Sequence, residues 1–123
     1  LAMVPGGRDW CEAFDNAWFA RADQLLDKAE DALDGAPEKY ARRLSFVHAG
    51  CEFLRLQTEN RALVPALCKA GDEADPDDLA RARENWKAMQ ELAAEHPVFW
   101  HPGYAGSELR PVVDPDVARN TGP

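Results

Sequence analysis

Glu52 and Glu59 are the acids whose spacing most invites chemistry. Two positions seven residues apart on one helix stand about 10 Å apart along its axis, within the separation at which glycosidases set their paired carboxylates. Nothing around them marks a cleft, and Arg55 lies one turn from each as an ion-pair partner. The acids Asp72, Glu73, Asp75, Asp77 and Asp78 are dense enough to suggest calcium. They lack the central glycine and terminal glutamate of an EF-hand loop, and helix capping explains them. His48, His96 and His101 contain no pair one helical turn apart, so they set no metal site. Cys11, Cys51 and Cys68 form no C-x-x-C and read as thiols on apolar helix faces. Ser45 and Ser107, the only serines, stand outside any G-x-S-x-G, and no glycine-rich phosphate loop is present. No catalytic residue, cofactor-binding residue or metal ligand is therefore assigned. What remains is the aromatic run Phe99, Trp100, His101 and Tyr104, whose rings could contact a ligand such as a sugar, or a neighbouring domain. The segment from Val98 to Tyr104 is expected to fold back over the helices, with Pro102-Gly103 making the turn.

The elements that must carry these residues are helices. Caps at Asp15-Asn16 open a helix that runs to about Asp34, with Trp18, Ala22, Leu25, Ala29 and Ala32 stepping by four and three along one face. Phe19, Leu26 and Leu33 widen that face, and Gly35 and Pro37 end it. A second helix spans roughly residues 37 to 59. Tyr40, Leu44, Val47, Cys51 and Leu54 keep the same step, with Phe46, Ala49, Phe53 and Leu56 beside them, so this helix is expected at the centre of the bundle. Leu44, Val47, Cys51 and Leu54 are expected to be nearly fully buried. A shorter helix follows from Arg61 to Ala70, with Pro65 near its start or kinking it. The last runs from Pro76 to about Glu95, presents Leu79, Ala82, Trp86, Met89 and Ala93, and closes at His96-Pro97.

Composition agrees. The chain has 123 residues, with 46% hydrophobic residues. Alanine is abundant and isoleucine absent, which disfavours a sheet. Fourteen basic and 22 acidic residues leave a net charge of −8. Such a chain is repelled by phosphate backbones and anionic lipid, so neither nucleic acid nor membrane is expected as a partner. No apolar run reaches the length of a membrane span.

Three segments carry a likeness: Ala22-Asp23-Gln24-Leu25-Leu26-Asp27-Lys28-Ala29-Glu30, Tyr40-Ala41-Arg42-Arg43-Leu44, and Cys51-Glu52-Phe53-Leu54-Arg55-Leu56. With Trp86 on a later helix ending at Glu95-His96-Pro97, the stretch from Trp18 to Phe99 resembles a helical region near the C-terminus of bacterial glycoside-hydrolase-like proteins related to the α-glucuronidase type. The resemblance implies a support domain of a larger carbohydrate-active protein. The barrel that would carry the catalytic carboxylates of that family is not in these residues, and no catalytic residue transfers.

The expected fold is all-α: an up-down helical bundle of three main helices plus a short fourth, with an irregular C-terminal arm. Residues 1–8 are read as a flexible lead-in, 9–104 as the helical domain and 105–123 as the arm. From about Pro111 the arm is expected to be loosely held, so that its removal changes little. Two functions compete: the non-catalytic support domain, whose partners are other domains of its parent protein, and a free-standing helical protein–protein interaction module. Neither needs a cofactor.

Overall fold

Asp15 accepts a hydrogen bond from the Trp18 backbone N–H at 2.8 Å, and this cap opens the first helix. The computed structural model describes residues 13–97 and 110–121. Within them lie α1 (Asn16–Ala32), α2 (Glu38–Ala70), a 3-10 turn (Gly71–Glu73), α3 (Pro76–Glu95), α4 (Arg110–Val113) and α5 (Pro115–Thr121). The described chain is all-α, a helical bundle with three long helices, as its composition and periodicity imply. Gly35 and Gly71 adopt the left-handed φ values of +78° and +56° that turn the chain between α1 and α2 and after α2. No helix among the described residues is long and apolar enough to cross a membrane.

α2 is one helix of 33 residues, about 50 Å long, where the sequence predicts two. Pro65 sits inside it, unable to donate a hydrogen bond to the preceding turn. Its ring is on the exposed side, while Val64 and Leu67 are anchored in the core on either side of it. Those two buried contacts hold the helix together across the proline.

The packed face of α2 is also not the expected one. Phe53, Leu56, Gln57, Asn60, Val64 and Leu67 are buried, and they form the row that meets α3 and the C-terminal helices. Val47 is 48% exposed, and Leu44, Cys51 and Leu54 are only half-buried. At about 100° per residue Val47, Cys51 and Leu54 stand on a different side of α2 from the buried row, and Leu44 also lies before the level that α3 reaches. α3 has 20 residues, about 30 Å, and its end reaches α2 near Phe46, whose ring meets that of His96 edge-on at 5.4 Å. The turns of α2 before that level have no α3 beside them. The α1 face is shifted similarly: Phe19 and Leu26 are buried, whereas Trp18 and Leu25 are 39% and 52% exposed.

Two apolar clusters join α2 to α3. One gathers Phe53, Leu56, Met89 and Val113, flanked by Trp86 and Leu92. The other gathers Val64, Leu67 and Ala82, flanked by Leu79 and Ala118. Between them lies a polar centre. Asn60, fully buried, donates from Nδ2 to the Ala82 carbonyl at 2.9 Å and to the Val113 carbonyl at 2.8 Å, and its Oδ1 accepts from Asn85 Nδ2 at 3.0 Å. One amide thus ties α2 to α3 and to the last carbonyl of α4, which has no partner inside its own helix.

The irregular arm expected over 105–123 is helical from 110 to 121, and it is not loosely held. Val113 and Pro115 are fully buried and Asp114 is 3% exposed. Asp114 Oδ1 accepts from the Asp116 and Val117 backbone N–H groups at 3.1 and 3.3 Å, capping α5 with Pro115 in its first turn. The start of α3 has the same arrangement: Asp75 Oδ1 accepts from the Asp77 N–H at 2.8 Å, with Pro76 in the first turn. The repeated Asp-Pro-Asp was the signal for α5.

Two surface contacts fasten α5. Arg119 donates to the Gly71 carbonyl at 3.1 Å, and Arg83 forks onto both oxygens of Asp116, the shortest contact being 2.8 Å. The hydrogen bond from Arg83, helped by its charge and that of Arg119, holds the Asp116 carboxyl below its ordinary range. Its ionised form therefore favours the folded state. That contribution is complete above the ordinary carboxylate range and is lost as pH falls through the lowered value. The thermal midpoint of Asp116→Asn should consequently lie below that of the parent chain at neutral pH. The gap, small for an exposed pair, should close as the solution is acidified. A gap that stays constant down the acid limb would count against this linkage.

Candidate interaction face

The exposed large apolar residues among those described are Trp18, Leu25, Tyr40, Phe46 and Val47, all on α1 or the first half of α2. On α1 the succession Trp18, Arg21, Leu25, Lys28 advances by three, four and three residues, so the four side chains share one exposed row. On α2, Tyr40, Arg43 and Val47 do the same. The Arg43 guanidinium lies 5.6 Å from the centre of the Tyr40 ring, and Lys39 Nζ stands 5.1 Å from it, both over a ring that attracts cations.

Both rows lie on the same side of the α1–α2 hairpin. Phe14, one turn before Trp18 and edge-on to it at 5.0 Å, shares a hollow with Thr58 and Ala62 of α2. Glu30 and Asp34, on the opposite flank of the buried Phe19–Leu26 row, share a different hollow with Ala41 and Ser45. At about 100° per residue, the Tyr40–Val47 row stands more than a quarter-turn from the Asn60–Val64 row that faces α3. The exposed face thus lies to the side of the row that meets α3.

Its charge is distinctive. Neither row contains an acid, and Arg21, Lys28 and Arg43 make no ion pair among the described residues. Three arginines outside the rows are paired. Arg55 bonds Asp23 at 2.8 Å and covers the Phe19 ring at 5.1 Å, Arg81 bonds Glu59, and Arg83 bonds Asp116.

The residues that sequence alone singled out fall elsewhere. Glu52 lies 3.4 Å from Arg55, but Glu59 is taken by Arg81, so Arg55 does not bridge the two acids as expected. The two carboxylates thus stand against different arginines, and Arg55 is shared between Glu52 and Asp23. Ser45, His48, Asp31 and Asp34 line the same open hollow. No hydrogen bond links Ser45 to His48, or His48 to either carboxylate, so nothing there activates a hydroxyl. His96 caps α3, its backbone N–H donating to the Leu92 carbonyl at 2.8 Å. Cys51 and Cys68 are free thiols, the first half-buried and the second exposed rather than covered by an apolar face. No group of metal-ligating side chains occurs among the described residues. Phe99, Trp100, His101 and Tyr104 lie outside them, as does Cys11.

Comparison of the chain with protein-family models, with curated proteins and with solved structures finds no match. The likeness to glycoside-hydrolase-like helical regions accordingly rests on the residues quoted for it.

Proposed function

We propose that this chain is a non-catalytic helical module that works by docking a protein partner on the α1–α2 face. One observation carries the reading. Trp18, Leu25, Tyr40 and Val47, read from sequence as core, stand exposed on α1 and the first half of α2 while α2 and α3 are packed through two apolar clusters. A partner helix laid along the hairpin would take Trp18, Leu25, Tyr40 and Val47 as its anchors. The same face would serve a support domain docked on a neighbouring domain of a larger carbohydrate-active protein, as the sequence likeness implies. The two versions differ only in whether the partner belongs to the same chain.

Site-specific photo-crosslinking in the native host tests the proposal. A crosslinking residue placed at Leu25 or Val47 should capture a discrete protein product, or a discrete intramolecular product within a longer parent chain. The same residue at Lys87, exposed on α3, should not. Equal capture from all three positions, or none from Leu25 and Val47, would remove the basis of the reading.

A further inference from the structure

The charge pattern of the face points to an acidic amphipathic helix as its occupant, an inference that rests on the docking role proposed above. The chain carries a net charge of −8, yet the two exposed rows hold only apolar and basic side chains: Trp18, Arg21, Leu25 and Lys28 on α1, Tyr40, Arg43 and Val47 on α2. The acids of α1 lie elsewhere. Asp23 is paired with Arg55, and Glu30 lines the hollow on the other flank. An apolar strip edged with unpaired cations is complementary to a helix with an apolar stripe bordered by Glu or Asp.

The same pattern argues against two other occupants. A second copy joined about a two-fold axis would set this face against itself, bringing Arg21, Lys28 and Arg43 against their own kind. An anionic lipid surface would welcome the cations of the strip, but the remainder of the chain is strongly acidic and would be repelled as the whole molecule approached.

Isothermal titration of the intact chain tests this with three probes: a synthetic leucine–glutamate helix with leucines at coiled-coil spacing, its leucine–lysine counterpart, and vesicles of phosphatidylcholine and phosphatidylserine. Sedimentation velocity of the chain alone completes the set. The glutamate helix should bind, more weakly as salt rises. Combining Arg21→Glu, Lys28→Glu and Arg43→Glu should weaken it by about tenfold or more, since each exposed pair contributes modestly and the three act together. These residues are exposed, so the variant should keep the thermal midpoint of the parent chain. Binding of both peptides alike, or preference for the lysine helix, overturns the charge assignment and leaves the docking role standing. Self-association abolished by Val47→Glu, with no peptide bound, also keeps the docking role but replaces the acidic partner with a second copy. Vesicle binding without peptide binding, or no binding and no self-association, overturns both.

Discussion

Asn60→Ala should lower the thermal midpoint by about 10 °C or more, an unusually large effect for a polar residue in the middle of a helix. The Asn60 side chain is fully buried and makes three hydrogen bonds, two donated to carbonyls of α3 and α4 and one accepted from Asn85. Removing it leaves the Val113 carbonyl and the Asn85 amide without those partners, and each such buried group costs about 1–3 kcal/mol. The space vacated by the amide adds a cavity term. Asn60→Asp separates the contributions: it keeps the shape but loses the two donated bonds, so it should be comparably destabilised near neutral pH. A midpoint within about 3 °C of the parent for both variants, the range of ordinary surface substitutions, would mean that the amide is not a keystone.

Ending the chain at residue 109 should have a still larger effect. The lost residues include Val113 and Pro115, both fully buried, and Val113 is part of the cluster with Phe53, Leu56 and Met89. Burial of a valine alone contributes about 1.5–3 kcal/mol, and the truncation also strips Asn60 Nδ2 of one of its two acceptors and removes the Arg83–Asp116 and Arg119–Gly71 contacts. A bundle this small has a net stability on the order of 5–15 kcal/mol, so a large part of it depends on the last turns. Thermal unfolding followed by circular dichroism should show a broad transition at much lower temperature, with increased binding of a hydrophobic dye at 25 °C. A sharp transition near that of the full chain would restore the loosely held arm that the sequence suggests.

Much of the architecture is legible in residue patterns. Gly35 and Pro37 mark the α1–α2 turn, Asp75 and Pro76 mark the start of α3, and the Leu79, Ala82, Trp86, Met89 and Ala93 row of α3 does face the core, with Ala82 and Met89 fully buried. Periodicity failed where it could not say what lies opposite. On α1 and α2 two adjacent apolar rows compete, and the choice between them depends on which side the neighbouring helices pack, a fact of tertiary structure. Asn60 fell between the helices read over residues 37 to 59 and 61 to 70. Its role depends on carbonyls that α3 and α4 bring together across long stretches of sequence. The C-terminal helix was missed for the opposite reason: α5 is too short to display a period, and its start is written in Asp114-Pro115-Asp116, a local cap signal. The candidate face was illegible as a site because its apolar residues Trp18, Leu25, Tyr40 and Val47 look like core, and only the structure shows them uncovered.

The claim that these rows are surface rather than core is tested most directly by the thermal midpoint of the double variant Leu25→Gln, Val47→Gln. Glutamine suits a helix as well as leucine and better than valine, so the substitutions remove apolar contact without weakening the backbone. If Leu25 and Val47 await a partner, the midpoint should stay within about 3 °C of the parent chain, as for other exposed positions. A fall of about 10 °C or more would place both side chains in the core and contradict the account.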